Sequence, residues 1–331
     1  MLQIRSSLYR PLGLGIGLGL LVLSLLGSLL LGAADIHPQR VWAAIFDFDG
    51  STEHLIIRTV RLPRALLAAG VGSALAVAGT LVQGLTRNPL ADPGILGISA
   101  GASLAMVMAI FWGYGGAVGF AFAGAAIAAV TVYWLGSLGR SGLTPLKLII
   151  AGAALSYLLG ALTTGILLLS QRTLDEIRFW LAGSLAGQNL ESLGTMVPYL
   201  AMGLFLGLLL GRPLTLLNLG EDVAQGLGLQ TIWVKGAAAV AVVLLAGTSV
   251  ALAGPIGFVG LVVPHMVRFG VGTDYRWIVP YAMILGGILL SVADIAARLL
   301  IRPQELPVGI VMGLLGAPFF IYLARSRRKQ T

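Results

Sequence analysis

The chain has 331 residues, of which 57% are hydrophobic and only 10% carry a formal charge. An ordinary soluble domain has about a quarter of its residues charged, so this composition, with a mean hydropathy of +0.94, excludes most soluble enzyme folds. The net charge of +8 is typical of the basic loops of a multi-spanning membrane protein, and we expect no nucleic-acid partner. The absence of cysteine excludes a disulfide framework and a thiolate metal site.

Ten apolar runs follow one another along the chain, most of them close to the ~20 residues that a helix needs to cross a bilayer. They cover residues 11–34, 62–85, 94–112, 115–138, 145–170, 193–211, 231–253, 254–269, 276–300 and 306–324. The first run exceeds the ~7–15 apolar residues of a secretory signal peptide, so we interpret it as a retained helix. The eighth contains Pro255 and Pro264 and predicts a broken or partial helix. The sequence therefore predicts an all-α membrane protein, a polytopic bundle of about ten transmembrane helices in one domain over residues 1–331.

The distribution of basic residues orients these helices. The side of the two termini carries Arg5, Arg10, Arg87, Arg140, Lys147, Arg212, Arg268, Arg276, Arg325, Arg327, Arg328 and Lys329. The opposite side carries Arg40, Arg58, Arg61, Arg64, Arg172, Arg178, Arg298 and Arg302, and also most of the acidic residues. Because cytoplasmic loops retain more Lys and Arg, we predict a short cytoplasmic N-terminus over residues 1–10 and a basic cytoplasmic tail over residues 325–331.

Catalytic and phosphate-binding patterns are missing from the sequence. The histidines His37, His54 and His265 have no metal-ligand spacing, so we expect no metal site. The three lysines follow Leu146, Val234 and Arg328, which leaves no G-K-[ST] phosphate loop. The chain is therefore predicted to be neither an enzyme nor an ATP-binding protein, and no cofactor is expected in it.

Two ionisable residues lie inside predicted helices, where such residues are functional candidates by default. Asp294 stands four residues before Arg298, and an intrahelical ion pair explains both. Lys235 lies near the inner end of its helix and can extend to the interface. An ion-coupled secondary transporter that uses Asp294 as its proton site is the alternative hypothesis, while an intramembrane hydrolase would need a catalytic pair that the spacing does not provide.

The inner loop over residues 212–230 is unusually rich in leucine for a cytoplasmic segment. Gly220 permits a tight turn, and Glu221 and Asp222 suit the first turn of a helix that ends at Gly226 or Gly228. Two short helices are therefore predicted. Their apolar side chains indicate either a docking surface or a helix that lies in the membrane interface, and the pattern alone favours neither.

Two further loops have patterns that allow a structural or a functional interpretation. After the second run, Asn88-Pro89 forms a turn and Asp92-Pro93 suits the start of the third helix, so this loop is either a connector or an inner gate. On the opposite side, Arg61, Arg64 and Arg298 are either interfacial anchors or contacts for an acidic partner.

Five ordered blocks of this sequence resemble one membrane-protein family. They are Arg61-Leu-Pro-Arg64, residues 87–101 (RNPLADPGILGISAG), Leu219-Gly-Glu221 with Leu227-Gly228, residues 254–268 (GPIGFVGLVVPHMVR), and Ala293-Asp-Ile-Ala-Ala-Arg298 before Glu305-Leu-Pro-Val-Gly309. Together the blocks are similar to the permeases of iron-siderophore, haem and cobalamin importers, the FecCD or BtuC-like family of type II ABC importers. The resemblance spans nearly all ten runs.

The resemblance implies a BtuC-like permease in the bacterial cytoplasmic (inner) membrane. It implies a second permease subunit, as a homo- or heterodimer, two cytoplasmic ATPase subunits that bind ATP and Mg²⁺, and a periplasmic substrate-binding protein. The imported substrate would be an iron(III)-siderophore or related chelate, and the ATPase would supply the energy.

Site residues carry over from the family by position. Arg61, Arg64 and Arg298 would dock the binding protein, and ATPase coupling would use Leu217, Leu219, Gly220, Glu221, Asp222 and Leu227. Asn88, Leu90, Thr144, Pro145 and Leu146 would lie at the cytoplasmic gate, although Pro145 and Leu146 replace small hydroxyl residues found in the cobalamin member. Ser156, Thr163 and Thr164 would be polar groups of the translocation path.

Overall fold

The computed structural model describes residues 9–32, 36–138, 144–188 and 190–327, and it is helical with no strand in these ranges. Its ten principal helices are α1 (Tyr9–Leu30), α2 (Thr52–Thr86), α3 (Ile98–Phe111), α4 (Ala117–Ser137), α5 (Pro145–Leu169), α6 (Leu190–Leu209), α7 (Thr231–Ala253), α8 (Val259–Val271), α9 (Tyr275–Leu299) and α10 (Val308–Arg327). Seven are long and apolar enough to cross a membrane, and α3, α8 and α10 have shorter apolar stretches. The predicted helical bundle is confirmed.

The centre of the bundle is formed by α2 and α7. In their most apolar stretches 83% and 72% of the residues are buried, against 17% for α1 and 11% for α5. Helix α2 packs most extensively against α9 and also contacts α6, α7 and α8, whereas α3, α4 and α5 pack together beside this core. The loops after odd-numbered helices form what we call the predicted outer face, and the loops after even-numbered helices form the predicted inner face.

The structure corrects the start of α2, which the hydropathy pattern placed at residue 62. The helix begins at Thr52 and has 35 residues, or about 52 Å at 1.5 Å per residue, which exceeds a bilayer of about 40–45 Å including its headgroups. Its first residues, including a π-helical turn over Ile57–Arg61, are polar enough to be mistaken for a loop. A further short helix, Pro38–Phe46, packs beside this extension.

The interruption predicted for the eighth run is present. Gly254 ends α7 with a φ of 71°, and Phe258, with a φ of 69°, precedes the first residue of α8. A side chain at position 254 would collide with the carbonyl oxygen of Trp180. The break leaves backbone carbonyls without a helical partner, and one of them is satisfied because the amide of Ser184 donates to the Ala253 carbonyl over 2.8 Å. Helix α8 is consequently only 13 residues long.

The loop between α5 and α6 contains a helix that was not predicted, Gln171–Leu181. The hydroxyl of Ser170 accepts a hydrogen bond from the Thr173 amide and caps it, as expected of serine at an N-cap. Thr173 and Ile177 face the interior, and charged residues cover the opposite side. The helix lies on the predicted outer face between α3 and α5.

Candidate functional site

The segment between α6 and α7 folds into the two predicted short helices, Gly211–Leu217 and Glu221–Gly226. They are joined through Gly220, whose φ of 129° requires glycine. Three apolar side chains of this segment, those of Leu219, Val223 and Leu227, are at least half exposed. We call these three the apolar ridge. They lie on the predicted inner face beyond the ends of α6 and α7.

Leu217 does not belong to this exposed surface. It is 1% exposed and is part of the main hydrophobic core together with Leu214, because the first short helix packs against α2 and α9. The prediction that Leu217 contacts a partner is therefore corrected. The neighbouring Asp222 is exposed, as a contact residue would be.

An ion pair attaches the second short helix to α7. The ammonium Nζ of Lys235 donates a hydrogen bond to Oε1 of Glu221 over 2.6 Å, and the hydroxyl of Thr231 donates to the same oxygen over 3.3 Å. Lys235 therefore pairs with the loop instead of extending to the interface on its own. The hydrogen bond from Lys235 holds the pKa of Glu221 below its usual value, and the charges of Lys235 and Arg87 act in the same direction.

A large cavity lies beside this ion pair. It has a volume of about 840 Å³ and is bounded by α4, α7, the inner ends of α2 and α5, and the two short helices. Its lining is apolar along α4 and α7, for example at Phe122, Val243 and Leu244, and charged at Arg87, Glu221, Asp222 and Lys235. Hydropathy gave no sign of it, since the cavity depends on how far apart two neighbouring helices stand.

The loop after α2 forms a compact turn. The side-chain oxygen Oδ1 of Asn88 accepts from the Leu90 amide over 3.0 Å, and Leu90 is exposed. Asp92 accepts from the Gly94 amide over 2.8 Å, and burial raises its pKa despite this bond. Asp92 caps a separate 3-10 turn, Pro93–Leu96, and not α3 itself as predicted, because Gly97 has a left-handed conformation (φ of 72°).

The predicted gate residues of α5 occupy its first turn. The Thr144 hydroxyl accepts a hydrogen bond from the Lys147 amide and caps the helix, Pro145 takes the first helical position, and Leu146 is exposed. The side chain of Pro145 lies outside the described residues. Thr144 lines the large cavity together with Thr86 and Arg87, so the cavity separates this turn from the two short helices between α6 and α7.

The polar residues of α5 differ in where they point. Thr163 is buried and its hydroxyl donates to the Leu159 carbonyl over 2.8 Å, so it belongs to the packed side of the helix and the prediction that it lines a path is corrected. Thr164 is exposed and Ser156 is half-buried. The exposed side of α5 also carries Tyr157 and Leu168, each more than 80% exposed.

The predicted docking arginines are all buried, at 4%, 6% and 2% exposure for Arg61, Arg64 and Arg298. Arg61 donates from Nη1 to the carbonyls of Leu29 and Leu30 at the end of α1. Arg298 donates to the carbonyl and the hydroxyl of Ser28 over 3.0 and 2.6 Å. None of the three forms an exposed surface. Arg61 and Arg298 hold the end of α1, where a helix dipole favours positive charge.

Asp294 is fully buried between two arginines. Its Oδ2 lies 3.2 Å from Nε of Arg298, as the four-residue spacing predicts, and its Oδ1 lies 2.9 Å from Nη2 of Arg64 on α2. Arg64 also pairs with Glu305 in the loop before α10. The sequence alone could not indicate the contact with Arg64, which is 230 positions away. This geometry favours a structural role for Asp294.

We call Arg61, Arg64 and Arg298, together with Asp294 and Glu305, the arginine cluster. It joins four parts of the chain on the predicted outer face: the end of α1, α2, α9 and the loop before α10. Glu305 is its only half-exposed member, with 32% of its side chain accessible. Sequence reasoning had placed Glu305 in a motif without giving it a contact. Within the described ranges, no group of three or more His, Asp or Glu side chains is arranged to hold a metal ion.

Comparisons with known proteins identify the family of this chain. Residues 20–326 match a family model described as the FecCD transport family. The chain belongs to the FecCD transport family. Among FecCD relatives, the iron(3+)-hydroxamate import permease FhuB of Bacillus subtilis is 46% identical over 318 residues, covering 95% of this chain and 83% of FhuB. The ferric enterobactin permease FepD of Escherichia coli is 42% identical over 315 residues, covering 94% of each.

A solved structure supports the same assignment of fold. It is described as a metal-chelate type ABC transporter in an inward-facing conformation, and it matches with a TM-score of 0.84 at 31% identity. The match covers 96% of this chain and 99% of the other. The FecCD chain described here is accordingly a multi-pass membrane protein with the fold that its sequence blocks predict.

Proposed function

We propose that this FecCD protein is the transmembrane permease subunit of an ABC importer for an iron(III)-siderophore or a related metal chelate. It works in the bacterial cytoplasmic membrane with both termini in the cytoplasm. It pairs with a second permease subunit, two ATPase subunits and a periplasmic binding protein. Family membership supports the transport role, and the iron-chelate names of FhuB and FepD support the substrate class.

The observation that carries the proposal is the apolar ridge on the predicted inner face. Leu219, Val223 and Leu227 are exposed on a segment outside the membrane-spanning helices, where three large apolar side chains are costly unless a partner covers them. Gly220, Glu221 and Asp222 lie between Leu219 and Val223 of the ridge. A groove in the ATPase is the proposed partner surface, and the Glu221–Lys235 ion pair passes its movement to α7.

The proposed translocation path runs along α5 and α10. Helix α5 is apolar yet has little buried surface of its own, so its exposed side is free to face a second permease subunit across the path. Thr164 and Ser156 add weak polarity to a smooth wall. Asn88, Leu90, Thr144, Pro145 and Leu146 form the proposed inner gate at the cytoplasmic end.

The arginine cluster is the proposed docking region for the binding protein, although its members are buried. Arg64 and Arg298 pair there with Asp294 and Glu305, and Arg61 donates to the carbonyls of Leu29 and Leu30. Arg61, Arg64 and Arg298 would thus act through the shape that they give to the loops of the predicted outer face.

A reconstituted transporter containing the ATPase subunits tests the coupling role of the ridge. Leu219→Asp adds a charge to the ridge, and we expect it to lower ATPase co-purification and chelate uptake at least tenfold, about 1.4 kcal/mol or more. Leu138→Asp, at an exposed leucine after α4, is the matched control and should leave both unchanged. Wild-type binding and uptake by Leu219→Asp would overturn the coupling assignment.

A further inference from the structure

The large cavity is a wedge between α4 and α7. The two helices pack together through the Val243–Gly247 turn and the Thr248–Ala253 end of α7. Towards the predicted inner face they separate, and the cavity of about 840 Å³ opens between them. This volume lies within the range of about 300–1,000 Å³ that small-molecule sites have.

The walls of the wedge are exposed at the side of the helical bundle. Val130 of α4 and Val240 of α7 line the cavity and are both more than half exposed. They lie within helices that are apolar enough to span a bilayer. In a membrane the molecules that reach such a surface are lipids, so the apolar part of the wedge matches an acyl chain.

Aromatic residues mark the height of the wedge's mouth. Tyr133 and Trp134 stand near the inner end of α4, and Trp233 stands near the inner end of α7, all of them exposed. Exposed Trp and Tyr side chains concentrate at the headgroup level of membrane proteins. The mouth, which contains Lys235 two residues after Trp233, therefore lies at the headgroups of the leaflet on the predicted inner face.

The mouth presents one positive and one negative side chain beyond its internal ion pair. Glu221 and Lys235 neutralise each other over 2.6 Å. Arg87 and Asp222 line the same cavity and are exposed, and within the described part of the chain neither has a hydrogen bond or an ion pair through its side chain. A guanidinium is well suited to a phosphate, and a carboxylate accepts from an ammonium group.

We propose that the wedge between α4 and α7 binds one zwitterionic glycerophospholipid of the phosphatidylethanolamine type. Its acyl chain lies along Val130, Val240 and Leu244, its phosphate accepts hydrogen bonds from Arg87, and its ammonium group donates to Asp222. An anionic lipid such as phosphatidylglycerol has no ammonium group that could pair with Asp222. The site goes beyond the transport function and does not depend on it.

The bound lipid would touch both the second short helix, Glu221–Gly226, and the first turn of α5. Asp222 belongs to the second short helix, and Thr144 caps α5, yet no direct side-chain bond between these two parts is present among the described residues. The lipid fills the space between them. A permease that has lost this lipid would therefore keep its fold and have a less rigid connection across the cavity.

Native mass spectrometry of the full chain tests the proposal. The chain is purified in detergent with equal amounts of phosphatidylethanolamine, phosphatidylglycerol and phosphatidylcholine that have the same acyl chains. We expect one phosphatidylethanolamine to be retained with at least fivefold preference over each other lipid. Arg87→Gln combined with Asp222→Asn should remove the preference. Val240→Trp should fill the wedge and lower retention of all three lipids about tenfold, whereas Ile127→Trp, at an exposed α4 residue that does not line the cavity, should have no effect.

Three results would overturn the proposal. The first is equal retention of the three lipids by the wild-type chain, and the second is unchanged retention by Val240→Trp. The third is a bismaleimide crosslink between two copies through Val240→Cys, which is the only thiol in that variant because the chain has no cysteine. Such a crosslink would assign the wedge to a second copy of the chain. The elution profile of each variant on size exclusion shows that it is folded.

Discussion

At the scale of single residues, Asp294 shows how geometry decides between two roles that sequence leaves open. A carboxylate inside a membrane helix is a functional candidate by default. Here two guanidinium groups contact it, one from its own helix and one from α2. The four-residue spacing to Arg298 was visible in the sequence. Arg64 was not, because sequence pattern carries no information on which distant helix packs against α9.

The Asp294 ion pairs give a stability prediction. Asp294→Asn leaves the buried Arg298 without a carboxylate and leaves Arg64 with Glu305 alone, and removing one partner of a buried ion pair costs about 3–5 kcal/mol. We expect a markedly lower midpoint of thermal unfolding, measured on the purified full chain. Asp175→Asn is the matched control, since its pair with Arg178 is exposed and such pairs contribute about 0–1 kcal/mol.

The opposite pattern would support ion coupling. If Asp294→Asn unfolded at the wild-type temperature and abolished uptake driven by a pH gradient, Asp294 would be a proton site and not a structural residue.

At the scale of helices, hydropathy predicted the ten principal segments but misjudged their ends. Long apolar helices such as α9 could be recognised in the sequence, because a helix that crosses a bilayer needs about 20 apolar residues. The start of α2 and the helix Gln171–Leu181 are amphipathic and contain several charges, so they looked like loops. Sequence also does not show which glycines lie at close helix contacts: Gly72 of α2 faces the backbone of Gly286, while Gly19 of α1 has open space beside it.

Those two glycines give a prediction about helix packing. A side chain at Gly72 would collide with the carbonyl oxygen of Gly286, so Gly72→Val forces α2 and α9 apart. Overpacking of this kind costs about 1–3 kcal/mol or more, and we expect a lower unfolding midpoint and a reduced yield of monodisperse protein.

Gly19→Val is the control for the same substitution and should behave as wild type, because nothing lies within 4 Å of the added carbon atom. Equal stability of the two variants would show that the close α2–α9 contact does not support the bundle.

At the scale of the whole molecule, the family could be predicted from ordered motifs, whereas the surfaces could not. The apolar ridge was predicted in outline, since leucines in a loop are conspicuous. Leu217 was assigned to it wrongly because its burial depends on the packing of the first short helix against α2 and α9. The burial of the arginine cluster and the wedge between α4 and α7 were equally invisible, because both arise from distances between helices.

The assembly that we propose divides the work among several chains. This chain supplies an apolar wall along α5, a ridge for the ATPase and a charged cluster for the binding protein. Among the described residues, Asp294 and Lys235 are both neutralised by ion pairs. In the proposed assembly the energy therefore comes from the ATPase subunits, through the segment that carries Leu219 and Glu221.

The most direct test of this account is uptake into proteoliposomes that contain this chain with its ATPase subunits, with the binding protein and an iron(III)-siderophore supplied outside. We predict that the chelate enters only when ATP is present inside and the binding protein outside, and that omitting either component reduces uptake to background. Uptake by this chain alone, without ATP and driven by a pH gradient, would contradict the account.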